Sequence, residues 1–113
     1  MGAREIRGFI RLPSPQQFNG AVAVVSLDDV SMIDAPSVRV AETTIDVIDG
    51  KHDRIPFRFT VDEQLLSSDS YVLAAEVRRS SKFQLIPGDF LTTVAFPWTP
   101  HHGGEQVLDV VKI

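Results

Sequence analysis

Three histidines are the residues of this sequence best suited to hydrolytic or metal chemistry. His52, His101 and His102 all fall in segments that the sequence pattern predicts to be loops. None of them shows the i, i+2 spacing of two ligands on a strand or the i, i+4 spacing of two ligands on a helix. We therefore interpret them as solvated loop residues, and the sequence predicts no metal site.

A second polar group consists of the acids that follow a strongly apolar segment. Asp28, Asp29 and Asp34 could supply oxygen ligands for Ca²⁺, but they lack the Asp-x-Asp-x-Asp-Gly spacing of a calcium loop. Short acidic side chains also accept hydrogen bonds from the backbone amides of turns. Turn capping is the interpretation that this spacing favours.

The sequence offers no recognisable nucleophile for covalent catalysis. The chain has no cysteine, which excludes disulfides and thiolate chemistry, and no serine lies in a Gly-x-Ser-x-Gly motif. Gly103-Gly104 is too short a glycine run to cradle a phosphate. We therefore expect no catalytic residue and no cofactor, and we predict that the protein is not an enzyme.

Three residues are candidates for a surface that binds a partner or a ligand. Phe96 and Trp98 could form an aromatic patch, but the general burial of aromatic residues favours Phe96 in the core and Trp98 as a cover for the end of a sheet. Pro56 interrupts a strand pattern and cannot donate a ladder hydrogen bond, so it indicates an edge strand or the start of a strand.

Alternating apolar and polar residues predict short strands, clearest over residues 4–12, 55–61 and 71–77. The prolines and glycines of residues 13–20, 49–50 and 87–88 predict the connections between strands. The face that carries the apolar residues changes twice, which predicts a bulge or strand end near Asp28-Asp29 and a kink near Glu42-Thr43. Asp62 could cap a single helical turn.

This pattern predicts an all-β fold, a single antiparallel β-sandwich of about seven to eight strands that takes in residues 1–113 as one domain. A chain of 113 residues is long enough to bury a core of its own. The formal net charge of −4 and the scattered basic residues argue against a nucleic-acid partner. The longest purely apolar run, residues 21–25, is far shorter than the roughly 20 residues of a membrane-spanning helix.

Four blocks of the sequence carry a resemblance to a known family. They are residues 25–31 with Asp34-Ala35-Pro36, and then residues 55–59, 71–77 and 88–93. In this order they resemble the lipoprotein family typified by YbaY and by YscW, the small outer-membrane pilotin of type III secretion. The resemblance extends over residues 6–113. It implies a β-sandwich of immunoglobulin-like or transthyretin-like build, exported and often lipid-anchored, with a binding or assembly role instead of a reaction.

The resemblance also implies a location in the periplasm or at the outer membrane. The 113 residues contain neither a signal-peptide pattern nor a lipobox cysteine, so a lipid anchor is not encoded in them and a cytoplasmic location stays open. We expect a protein partner, bound through an edge strand or a sheet face, or a homo-oligomer formed through an edge strand. One alternative is a small-ligand or carbohydrate-binding module that uses Trp98 and Phe96. The least favoured is a transthyretin-like hydrolase, which would need histidines and arginines that converge from strands.

Overall fold

Two long strands dominate the structure, a computed structural model that describes residues 2–32, 34–80, 84–101 and 103–113. Strand β1 spans Ala3–Asp29 and strand β2 spans Val38–Asp62, and the two pair in antiparallel fashion over their whole length. The other elements are short: a 3₁₀ helix at Glu63–Leu65, β3 at Tyr71–Arg78, β4 at Phe90–Leu91, β5 at Phe96–Trp98, β6 at Glu105–Asp109 and β7 at Val111–Lys112.

Each half of β1 has its own set of neighbours. The first half pairs with the end of β2 and, in parallel, with β6, whereas the second half pairs with the start of β2 and with β3. The strands β4 and β5 pair with β3, and β7 pairs with β4. The all-β class and the antiparallel pairing are thus confirmed. Two details differ from the expectation: all seven strands belong to one continuous, open sheet, and β6 runs parallel to β1.

The two halves of the β1–β2 ribbon share one apolar core. Every second side chain is buried over residues 6–12 and 21–25 of β1, residues 55–61 of β2 and residues 71–77 of β3. The buried apolar residues form a single cluster, which includes Ile6, Ile10, Val25, Leu27, Ile55, Phe57, Leu73, Val77, Phe90 and Leu108. Because both halves of the ribbon contribute residues to this one cluster, the two long strands cover both sides of the same core.

The predicted connections at residues 13–20 and 49–50 are wrong. The chain stays in strand conformation through both segments, which belong to β1 and β2 and face each other across the ribbon. Pro13 and Pro15 lie at the register shift between Arg11 and Gln16, where β1 and β2 are not paired. Their missing amide hydrogens therefore interrupt no ladder of hydrogen bonds. Gly20, with φ of 75°, occupies another register shift. Turn-forming residues here make irregular strands rather than loops.

Other local predictions are confirmed. The Asp62 side chain accepts a hydrogen bond of 2.9 Å from the Gln64 amide and caps the 3₁₀ helix. β1 ends at Asp29, next to a register shift, and Asp29 accepts a hydrogen bond of 2.9 Å from the Ser31 amide. The hydrogen bonds from Ser31 lower the pKa of Asp29 below its usual range. Capping is therefore what this acid does.

A close contact between β1 and β6 depends on Gly8. A Cβ atom at this position would lie 1.8 Å from the backbone carbonyl oxygen of Gln106, far inside any van der Waals contact. The parallel pairing brings Gly8 opposite Gln106 in the register. Only a residue without a side chain lets the two backbones approach this closely.

A buried carboxylate holds the turn that precedes β4. Asp89 is 1% exposed, and its two oxygens each accept a 2.9 Å hydrogen bond, from the backbone amides of Arg79 and Ile86. The Arg79 guanidinium donates to the Gly88 carbonyl oxygen and lies 5.3 Å from the ring centroids of both Phe18 and Phe90. This network ties the end of β3 to the start of β4 and to β1.

Candidate protein-binding edge

Strand β2 has a free edge. It lies at one end of the strand order, and among the described residues β1 is the strand that it pairs with. The unpaired edge of a strand presents backbone donors and acceptors that another chain can use. Pro56 lies in this strand, so the prediction that it indicates an edge strand is confirmed.

A groove of about 380 Å³ opens at the middle of this strand. Ile48 and Ile55 form part of its lining and also belong to the buried core, so the groove reaches the interior from the free edge. Half of its six other lining residues are apolar as well. The complete set is Ile45, Asp46, Val47, Ile48, Asp49, His52, Ile55 and Pro56.

A β-bulge shapes this part of β2. Ala21 pairs with Ile48 and Ala23 pairs with Ile45, so two residues of β2, Asp46 and Val47, lie opposite one residue of β1. A bulge of this kind bends its strand and increases the local twist. The sequence predicted a kink near Glu42-Thr43, but the structure has no register shift at that position. The shifts lie on either side of it, at the bulge of Asp46 and Val47 and at Val40, which is an extra residue of β2 between two paired ones.

Val47 has an unfavourable backbone conformation. Its φ is 56°, which makes it the one non-glycine residue with positive φ in the described part of the chain. The left-handed region is costly for a β-branched residue. The Val47 side chain is nevertheless 70% exposed, so core packing does not explain the choice of valine. Backbone strain of this kind tends to occur at functional sites.

Polar groups fix one side of the groove. The Asp49 side chain accepts a hydrogen bond of 2.7 Å from the Gly20 amide. His52 Nε2 lies 2.6 Å from the Asp49 carbonyl oxygen, and the His52 ring lies 6.3 Å from that of Phe18. His52 is thus a half-buried residue of β2, and its prediction as a loop residue is wrong. The exposed Asp46 carboxylate has no ion pair with the described residues and stays free for a partner.

The groove has a mixed apolar and polar lining. Its lining combines apolar side chains with two carboxylates and one imidazole, and no lining residue has a hydroxyl or thiol. No three His, Asp or Glu side chains come together as a metal site would require within residues 2–32, 34–80, 84–101 and 103–113. In the same residues, no helix has the length and apolar character needed to cross a membrane.

The three predicted surface residues do not come together. Pro56 is exposed and lines the groove, whereas Phe96 and Trp98 lie in β5, which pairs with β3. Trp98 is 2% exposed, and its ring packs edge-on against Tyr71 at 6.1 Å. Phe96 is half-buried against the core. Their use as a ligand surface remains a prediction, which the burial of Trp98 does not favour.

The remaining histidines add nothing to this groove. His101 is exposed in a turn, as predicted, and His102 lies outside the described residues.

Sequence reasoning missed Ile45, Asp46 and Val47 as parts of a site. The available signal was the change of apolar parity within residues 38–47, which predicted a kink but not its side-chain consequences.

The fold and the groove define a class of protein, an all-β binding domain with an open edge strand. A family model described as "Type III secretion system lipoprotein chaperone (YscW)" matches residues 2–96, and the chain belongs to this family. The resemblance noted in the sequence is thereby confirmed. The family is that of a secretion chaperone, which supports a role in protein interaction or assembly.

A solved structure shares the fold. It is an alternative pilotin from the type II secretion system of Vibrio cholerae, with a TM-score of 0.68 and 20% sequence identity. The match covers 97% of this chain and 98% of that one. At this identity the likeness concerns the fold alone. A search of curated protein sequences found no match.

The strain at Val47 leads to a test of stability. Replacing Val47 with glycine should raise the free energy of unfolding by about 1 kcal/mol, because glycine adopts positive φ without steric cost. Val38, also exposed and in β2 but without positive φ, is the matched control. Val38→Gly should lower the free energy of unfolding by roughly 0.5–1 kcal/mol. Urea denaturation measures both, and equal losses would show that Val47 is unstrained.

Proposed function

We propose that this chain is a non-enzymatic protein-interaction domain that assists the assembly of a secretion system in the bacterial envelope. The observation that carries the proposal is the free edge of β2 with the apolar groove at its centre. The description of the family as a secretion lipoprotein chaperone supports it. The same description supports a location in the periplasm or at the outer membrane.

The partner segment binds along the middle of β2. A groove that reaches core residues can bury an apolar side chain, which contributes about 1.5–3 kcal/mol. Backbone groups on the free edge add hydrogen bonds of the kind that join a peptide to a sheet. Pro56 and the bulge at Asp46-Val47 interrupt the edge at the groove itself, and the second bulge, at Val40, interrupts it nearer the start of β2, so the pairing stays short. Selectivity comes from the groove and affinity from both features.

Site-specific crosslinking in cells tests this function. Val47 is replaced by a photo-crosslinking amino acid in a strain that carries the native secretion system, and Thr93, an exposed residue outside β2, is replaced in a matched strain. We expect illumination to join position 47, and not position 93, to one protein of the envelope secretion machinery. Ile45→Asp, a second change in the strain with the crosslinker at position 47, should reduce the capture of that protein more than tenfold, because binding would desolvate a charge in the groove.

A further inference from the structure

The middle of the β1–β2 ribbon contains the one asparagine of the chain. Asn19 is exposed, and Gly20 follows it. No hydrogen bond joins its carboxamide to the described residues. An asparagine before a glycine is chemically labile, because the next backbone nitrogen can attack the side-chain carbonyl carbon and glycine has no side chain to hinder the attack. A single labile amide therefore lies at an irregular part of the ribbon.

Gly20 is an extra residue of β1. Asn19 pairs with Asp49 and Ala21 pairs with Ile48, so no residue of β2 lies opposite Gly20. Its φ of 75° lies in the left-handed region that favours glycine. The extra residue of a β-bulge is left unpaired in the ladder of the two strands. The nitrogen that would attack Asn19 thus belongs to a residue that has no place in the β1–β2 register.

The Asp49 side chain holds this nitrogen instead. Its Oδ1 accepts a hydrogen bond of 2.7 Å from the Gly20 amide. The nitrogen can attack only after it gives up that proton, and a carboxylate that accepts the N–H bond stabilises the protonated amide. The same hydrogen bond joins the two strands beside Asn19, whereas the attack requires the backbone to leave its extended conformation. Loss of the hydrogen bond would remove both restraints.

We propose that Asn19 is a site of spontaneous deamidation and that the Asp49 carboxylate sets its rate. In this reaction the Gly20 nitrogen gives its proton to water or hydroxide and forms a bond to Cγ of Asn19. The bond between Cγ and the side-chain nitrogen breaks, and that nitrogen takes up a proton and leaves as ammonia. Water then opens the cyclic imide at either of its two carbonyl carbons, which yields aspartate or isoaspartate at position 19. Water is the only co-reactant.

Either product disturbs the polar side of the groove. A carboxylate at position 19 faces Asp49 in the register, and like charges that face each other across two strands are unfavourable. An isoaspartate adds a carbon atom to the main chain, so β1 no longer fits the ladder at this point. Because Asp49 lines the groove, deamidation is a slow, one-way change that weakens the ribbon where the groove opens.

Peptide mapping by mass spectrometry tests this proposal on the purified 113-residue chain. The protein is incubated in mildly alkaline buffer, with and without denaturing guanidinium chloride, and the converted fraction of position 19 is followed over time. We expect the folded wild type to react most slowly and the unfolded chain to react fastest. The folded Asp49→Ala protein should deamidate at least about tenfold faster than the wild type, the factor that corresponds to a hydrogen bond with a charged group.

Asp53→Ala is the matched control, because it removes an exposed carboxylate from the same strand and leaves the Asp49 hydrogen bond in place. Its rate should stay within about twofold of the wild type. Circular dichroism reports whether each variant is folded, and Asp49→Val, a strand-forming residue without an acceptor, takes the place of an Asp49→Ala protein that does not fold. Equal rates for the Asp49 and Asp53 variants, equal rates for folded and unfolded wild type, or an Asn19 that survives in the unfolded chain would each overturn the proposal. No partner is present in this experiment, so its result is independent of the binding edge.

Discussion

Replacing Gly8 with alanine should unfold the protein or lower its free energy of unfolding by about 3 kcal/mol or more. The added Cβ would meet the Gln106 carbonyl oxygen at 1.8 Å, and this oxygen belongs to the backbone and has no rotamer to change. The β1 and β6 backbones would have to separate, which would open the core around Leu108. Losses of this size come from a few mechanisms such as overpacking a buried site.

Gly103→Ala is the matched control for this experiment. Nothing lies within 4 Å of a Cβ atom at that position. We expect urea denaturation to show a change of less than about 0.5 kcal/mol, as for most surface substitutions. A Gly8→Ala protein as stable as Gly103→Ala would mean that the parallel pairing of β1 with β6 is wrong.

Asp89→Ala should lower the free energy of unfolding by about 2–5 kcal/mol. The substitution leaves the backbone amides of Arg79 and Ile86, whose hydrogen bonds to Asp89 are half-buried, without these acceptors, and each unsatisfied group costs about 1–3 kcal/mol. Asp89→Asn keeps one acceptor oxygen, so its free energy of unfolding should fall between those of the wild-type and Asp89→Ala proteins. The exposed Asp69 is the control, and Asp69→Ala should change stability by less than about 0.5 kcal/mol. Equal midpoints for the Asp89→Ala and Asp69→Ala proteins in urea would contradict the role of Asp89.

The parts of the fold that the sequence predicts are those that depend on local pattern. Alternation over residues 4–12, 55–61 and 71–77 identifies strands and their buried faces, because side chains of a strand point to its two sides in turn. The continuity of β1 and β2 is not local. Asp49-Gly50 is typical of a hairpin turn, and it forms an irregular strand here because the facing segment around Phe18 pairs with it.

The candidate site also has residues that local pattern predicts and residues that it does not. Pro56 indicates an edge strand through its own missing amide, so one residue of the groove was predictable. The bulge at Val47 exists only relative to the register of β1, which a single sequence does not specify. For Trp98 the sequence allows two placements. An aromatic residue beside a proline suits a surface patch as well as a core, and only the contact with Tyr71 decides between them.

An open edge 25 residues long is a hazard, because it invites pairing with other copies. This chain limits the hazard with Pro56, two bulges and exposed charges along β2. At the groove, where Pro56 and the bulge at Val47 also lie, apolar lining residues nevertheless reach the surface. A strand that is protected along most of its edge and apolar at one place is suited to one specific partner.

The crosslinking comparison between positions 47 and 93 tests the central claim most directly. If β2 carries a binding edge, the strain with the crosslinking amino acid at position 47 should yield a single crosslinked envelope protein, and the strain with it at position 93 should yield none. The crosslink from position 47 should also be lost when Ile45 of the groove is replaced by aspartate. The same protein captured with equal yield from both positions, or no capture from position 47 in cells with an active secretion system, would contradict the claim.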